Sequence, residues 1–361
     1  APMTRALFDP LTLRDVEIRN RIWVSPMCQY SVDKQDGVPT SWHLMHLGSL
    51  ARGGAGLVTV EATGVLPEGR ISPQCLGLWN DEQRDAFVPI VDLIHSQGAK
   101  ASIQLAHAGR KASTWRAWPG YQDGNVSPEL GGWTPVGPSP VAFPGLVEPS
   151  ELTTEQIDAV VVAFVEAARR AVDAGFDVVE LHGAHGYLLH QFLSPASNHR
   201  ADEYGGPLDN RARLLLRVVD AVRSELGESV PLVVRLSGSE WSDEGYSEDD
   251  VVAVSRWLGE HGVDLISVST GGNLAGVTIP VGPGYQVPVA EKIRRESGMP
   301  VAAVGLITEP FQAEQIVALG QADAVLVGRE ALREPNFPVR AARDLRVETP
   351  YIPPQYARAY Q

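Results

Sequence analysis

Cysteine is nearly absent: Cys28 and Cys75 are the only two in 361 residues. Two thiols cannot build a disulfide framework, a cysteine-rich zinc site or a four-cysteine iron–sulfur cluster, and they suit a reducing compartment. Basic residues are scarce too, 30 Lys and Arg against 44 Asp and Glu, giving a net charge of −14 and a pI near 5.1. Such a chain is not expected to bind nucleic acid or an anionic membrane, so any anionic ligand needs a local basic pocket. The most apolar stretch, Ala159 to Ala168, contains Glu166 and is too short to span a bilayer. Ala1-Pro2-Met3-Thr4-Arg5 lacks the apolar core of a signal peptide. We therefore expect a cytoplasmic protein. No Gly-x-Gly-x-x-Gly follows the first strand pattern, which counts against a Rossmann dinucleotide fold.

What the chain does have is 44% hydrophobic residues, enough for a large core, arranged in a repeating alternation. Short β-branched runs fall at 22–25, 57–60, 101–105, 177–181, 232–236, 265–269, 301–304 and 324–327. Helix-period segments lie between most of them, at 81–97, 153–174, 208–226, 248–261, 290–297 and 309–319. Thr153 and Thr154 are N-cap candidates, and Gly98, Gly175, Gly262 and Gly320 stand where a left-handed residue turns a helix into the next parallel strand. Eight such units close most naturally into an α/β (β/α)8 TIM barrel, a doubly wound open sheet being the structural runner-up. We read residues 1–361 as one such domain with an N-terminal hairpin. Residues 111–151, rich in Pro, Gly and Trp (Trp115, Trp118, Trp133), read as a long loop over one end of the barrel after the third strand. The tail 351–361 shows neither helical nor strand period.

In a barrel, function collects just after each strand. Those positions hold Ser25-Pro26-Met27-Cys28-Gln29-Tyr30, Glu61-Ala62-Thr63, Gln104, His182, His185, Tyr187, Arg235, Gly305, Gly328 and Arg329. His182 and His185, three apart, can grip one carbonyl or nitro oxygen and stabilise charge developing there; alternatively they are structural, or half a metal site completed by His190 or His199. Tyr187 can supply a proton. Gly305, Gly328 and Arg329 suit the barrel phosphate site, where loop amides and a guanidinium hold the anion, although Arg329 can equally cap a helix. Arg235 is either a buried ion-pair member or a cation facing a ligand, and Gln104 can read a heterocycle's amide edge or bond the barrel backbone. Cys28 is a reactive thiol or a small buried hydrophobe. Tyr30 and the loop tryptophans stack on a flat ligand or simply pack.

Taken in order, Leu7-Phe8-Asp9-Pro10, Arg19-Asn20-Arg21, Ser25-Pro26-Met27-Cys28-Gln29-Tyr30, Ala51-Arg52-Gly53-Gly54-Ala55-Gly56, Gln104-Leu105-Ala106-His107-Ala108-Gly109-Arg110-Lys111, His182-Gly183-Ala184-His185-Gly186-Tyr187, Ser197-Asn198-His199-Arg200 with Asp202-Glu203-Tyr204-Gly205-Gly206, and Val327-Gly328-Arg329 resemble the old yellow enzyme family of FMN-dependent ene reductases, specifically its thermophilic-like class. The resemblance implies FMN held without a covalent bond by Ser25, Pro26, Met27, Cys28, Ala62, Gln104, Arg235, Gly305, Gly328 and Arg329. It implies that Cys28 tunes the flavin, His182 and His185 bind the activating oxygen, Tyr30 lines the pocket and Tyr187 donates a proton. It further implies a ping-pong exchange in which NAD(P)H reduces FMN and leaves, and an α,β-unsaturated aldehyde, ketone, imide or nitroalkene then accepts the hydride. The tail resembles one that reaches a neighbouring subunit, which would place Arg358 in trans in a homodimer or homotetramer. The long loop after Lys111, Trp241 and the stretch 270–276 depart from the shortest members of the class and bear on substrate range.

Two other functions fit parts of the pattern. A metal-dependent barrel hydrolase would use His182, His185 and His107, but no His-x-His follows the first strand. A non-catalytic flavin-binding protein on the same fold would have no use for paired oxyanion donors and a nearby phenol.

Overall fold

Eight parallel strands close on themselves in the computed structural model, which describes residues 5–361. They are β1 (Ile22–Val24), β2 (Leu57–Gly64), β3 (Lys100–Ala106), β4 (Val178–Gly183), β5 (Leu232–Ser237), β6 (Leu265–Ser269), β7 (Val301–Val304) and β8 (Ala324–Val327). Each pairs with the next and β8 pairs with β1, so no strand edge is left open. This is the expected (β/α)8 barrel, and helices follow most strands. Residues 1–4, within the N-terminal stretch read above as lacking a signal-peptide core, lie outside the described residues.

The strands are buried along almost their whole length, as parallel strands covered by helices outside and filled inside must be. Inside, Trp23, Leu57, Val178, Val233, Leu265, Ala302, Ala324 and Leu326 pack together, and Leu13 and Ile18 join them from the hairpin formed by Leu11–Leu13 and Val16–Ile18. The hairpin thus plugs the N-terminal end of the barrel and leaves polar side chains to the other end. Outside, the helix Thr154–Asp173 begins on a capping box: Thr153 Oγ1 accepts from Gln156 N, and the Gln156 side chain accepts from Thr153 N. Gly175 follows at φ +101°, which lets the chain turn directly into β4. Among the described residues no helix is long and apolar enough to cross a membrane.

Three details differ from expectation. The segment read as one helix over 208–226 is two, Leu208–Arg211 and Arg213–Leu226, because a turn at Ala212 interrupts the ladder without disturbing the apolar period. The tail, although its sequence has no period, is ordered in part: Pro354–Tyr360 is a 3-10 helix. Prolines at 353 and 354 preset its backbone, and its aromatic rings dock on cations, Tyr356 on Arg52 (4.9 Å) and Tyr360 on Arg343 (5.3 Å), so no amphipathic stripe was needed. The helix Ser41–Arg52 escaped periodicity because it exposes Trp42, Leu44 and Met45.

Candidate active site

The candidate site forms where the barrel interior turns polar. His182 lies on β4 in register with Arg235 on β5, and both are buried. The backbone then turns through His185 (φ +59°) and Gly186 (φ +76°) before the helix Leu188–Leu193. A side chain at Gly186 would lie 2.3 Å from Gly272 O, and one at Gly272 would lie 2.5 Å from His185 Cα, so two glycines let the turn and the segment after β6 touch backbone to backbone. This places the His182 ring 5.2 Å from the His185 ring and 4.9 Å from the Tyr187 ring, both nearly perpendicular. The three residues read from their spacing therefore do converge.

Their protonation follows from burial. Desolvation holds both imidazoles well below the usual histidine range, with Arg235 and Lys111 adding repulsion, so both rings are neutral near pH 7. Ala184 N donates to His182 Nδ1 at 3.3 Å, which leaves Nε2 as the protonated, donating nitrogen. His185 Nε2 lies 2.6 Å from Ser269 Oγ. Burial raises the Tyr187 phenol, keeping it protonated, and its hydroxyl makes no hydrogen bond among the described residues.

The turn is braced from behind by a buried network. His190 Nδ1 accepts from Gly186 N (2.8 Å), and its Nε2 meets Glu240 Oε1 (2.8 Å). Glu240 also accepts from Ser194 Oγ (2.8 Å), Tyr246 N (2.8 Å) and Asn273 Nδ2 (3.1 Å); against the upward push of burial, His190 first, then Ser194 and Tyr246 N, hold its carboxyl below the usual range. Lys111 Nζ donates to His185 O and Gly272 O, both at 2.8 Å, and sits 4.9 Å from the Tyr187 ring. Burial lowers its pKa to about 8.

A cleft leads from His185 and Arg235 to Gly305, Thr308, Gly328, Arg329 and Arg333 at the ends of β7 and β8. Arg235 donates to Ser25 Oγ (2.9 Å) and Ser267 Oγ (3.1 Å) and has no carboxylate within ion-pair distance among the described residues. Burial lowers its pKa, opposed by the charge of Glu180, yet a guanidinium stays charged. Gln104 Nε2 donates to Glu180 Oε2 at 2.6 Å rather than to backbone. Burial pushes the Glu180 carboxyl up, against the pull of Arg235. Met27 borders Gly328, its Sδ 3.8 Å from where a β carbon would stand. Ala62, Cys28, Tyr30 and Tyr187 share one apolar cluster with Cys75. Desolvation holds the Cys28 thiol well above its ordinary value, so it is not a thiolate. Pro26 lies half-buried between Ser25 and Met27. Arg358, exposed on the tail, does not line the cleft.

His107 does not join His182 and His185 as a hydrolase site would require. It is buried, its Nδ1 accepts from Gly109 N (3.0 Å), and burial lowers its pKa to about 4. Among the described residues no three His, Cys, Asp or Glu side chains are gathered as metal ligands would be. Sequence reasoning placed Ser269 among the strand-end positions but missed Glu180, Lys111 and the His190–Glu240 pair as parts of the site. Glu180 alone had left a signal, since it shares strand parity with inward-facing His182.

The model of the NADH:flavin oxidoreductase / NADH oxidase family matches residues 6–348. An NADPH dehydrogenase of Listeria monocytogenes serotype 4b is 49% identical over 98% of this chain and 99% of its own. Among solved structures, morphinone reductase superposes with a TM-score of 0.76 at 27% identity, over 95% of this chain and 90% of that one. A 2-naphthoyl-CoA reductase superposes with a TM-score of 0.86 at 25% identity; 95% of this chain is covered, but it spans only 53% of that larger protein.

Proposed function

Because the chain belongs to the NADH:flavin oxidoreductase / NADH oxidase family, we propose that this oxidoreductase is an FMN-dependent ene reductase that uses NAD(P)H to reduce the C=C bond of α,β-unsaturated aldehydes, ketones, imides or nitroalkenes. The donor set suits FMN: cations and glycine turns at β7 and β8 for a phosphate, a buried guanidinium at Arg235 without a carboxylate partner among the described residues, and a buried amide at Gln104 on β3. Ser25, Pro26, Met27, Cys28, Ala62, Gln104, Arg235, Gly305, Gly328 and Arg329 would hold the cofactor. Bound FMN supplies hydride relay between the nicotinamide and the alkene.

The remaining chemistry belongs to the chain. His182 Nε2–H and the neutral His185 bind the oxygen that withdraws electrons from the alkene and stabilise the enolate-like charge that develops on it. Tyr187, protonated and without a partner, delivers a proton to the α carbon. Arg235 favours negative charge on the reduced cofactor, and Tyr30 bounds the substrate pocket. In the same reading residues 1–361 act as one cytoplasmic unit, 111–151 covers the site, and Arg358 on the exposed tail serves a neighbouring subunit of a homodimer or homotetramer.

The observation that carries this reading is the convergence of two neutral imidazoles and a free phenol at 4.9 to 5.2 Å, an arrangement a flavin carrier without catalysis has no use for. Anaerobic mixing of the holoenzyme with NADPH, then with an enone or maleimide, tests it. We expect flavin colour to bleach and then return; colour that never returns with any activated alkene refutes the reductase.

A further inference from the structure

The loop that covers the site contains a cleft that the reading above leaves unused. Its walls are two arms of the loop, 114–124 and 143–146, the first closed on itself by Trp115 N donating to Gly124 O (3.2 Å). Trp115, Trp118, Tyr121 and Phe143 line it beside Arg116 and Asp123. Trp118 and Tyr121 are 38% and 46% exposed, an unusual concentration of open aromatic surface on so acidic a chain. The Arg116 guanidinium lies 4.7 Å from the Trp118 ring and 5.8 Å from the Tyr121 ring. Its carboxylate partner Asp33, at 2.6 Å, is 81% exposed.

Two contacts join this cleft to the candidate active site. The Phe143 ring lies 4.9 Å from Lys111 Nζ, which lies 4.9 Å from the Tyr187 ring. Trp118 Nε1 donates to Gln29 O at 3.2 Å, and Gln29 is the residue between Cys28 and Tyr30. The cleft therefore adjoins the candidate site through Lys111 and Gln29.

We propose that this cleft binds the adenosine-phosphate end of NAD(P)H. The inference rests on NAD(P)H being the reductant. A nicotinamide ring seated beside His182 and Tyr187 must leave its phosphates and adenosine outside the barrel, and the cleft is an aromatic, cation-bearing surface adjoining the site. Adenine stacks on the open rings, as bases do on aromatic platforms. A phosphate displaces Asp33 from Arg116: an exposed carboxylate is a weak partner, whereas guanidinium and phosphate form a charge-assisted, bidentate pair.

The test compares reduction of the holoenzyme by NADPH and by 1-benzyl-1,4-dihydronicotinamide, which keeps the hydride-donating ring but has neither phosphate nor adenine. The readout is the ratio of the two KM values, NADPH over analogue. Arg116→Ala should raise that ratio about tenfold and Tyr121→Ala about fivefold. Asp33→Asn, which removes the competing carboxylate, should lower it about twofold. Arg116→Ala weakening both donors by one factor, or Asp33→Asn raising the ratio, overturns the proposal and makes the cleft a brace for Tyr30. Reduction by the analogue but never by NADPH removes the reductant itself, and this site with it.

Discussion

At β7 and β8 the candidate site is made of strand ends: Gly305, Gly328 and Arg329 follow their strands directly, and Arg329 makes no side-chain bond to the rest of the described protein. At β4 it is made of a turn that cannot stand alone. His182, His185 and Tyr187 owe their approach to Gly272, Lys111, Ser269, and a His190–Glu240 pair that is wholly buried and shared with Ser194, Asn273 and Tyr246. One end borrows its geometry from the barrel; the other depends on a polar web drawn from segments far apart in the chain. An anion needs only amides and a cation at roughly the right place, whereas paired donors must meet at one oxygen.

The contrast is broken most severely by removing the donors. His182→Ala or His185→Ala should slow alkene reduction about 10²- to 10³-fold each and flavin reduction by NADPH far less, measured as separate half-reactions by stopped-flow absorbance. Equal losses in both would assign the pair to nicotinamide binding or folding.

The next test concerns the support. Glu240→Ala strands His190 Nε2 and Tyr246 N in the interior, and removing one partner of a buried pair costs about 3–5 kcal/mol. Arg329→Ala should instead leave stability within about 0.5 kcal/mol while weakening FMN binding. Urea denaturation followed by circular dichroism, beside FMN titration, separates the two; an equally large stability loss for Arg329→Ala would erase the distinction.

The smallest effect is electrostatic. Lys111, lowered to about 8 by burial, loses its charge as pH rises through that value, so the alkene half-reaction should fall severalfold between roughly pH 7 and 9. The two histidines, already neutral, should contribute no step below that. Lys111→Arg stays charged and should flatten the profile; a decline that persists unchanged in the variant assigns it to another group.

Strand ends were legible because an apolar run of four or five residues announces where it stops, and His182, Arg235, Gly305 and Arg329 stand just there. Residues of the web were not. Lys111 reads as the end of a motif before a loop, and nothing in its neighbours says that its ammonium turns back onto His185 O and Gly272 O. His190 read as a possible metal ligand until Glu240, fifty positions on, was seen to take its Nε2. The tail's 3-10 helix was missed because ring–cation docking leaves no period to detect.

The alternation of apolar runs with helix-period segments, and the glycines that turn one into the other, determine eight parallel βα units and the strand ends at which their polar residues stand. These are properties of neighbours in the chain. Which polar groups meet is decided only when the barrel closes, as with Arg235 and Ser25, 210 positions apart, or Arg110 and Asn273, 163 apart. A buried donor or acceptor must find a partner wherever folding brings one, and no local pattern records that choice.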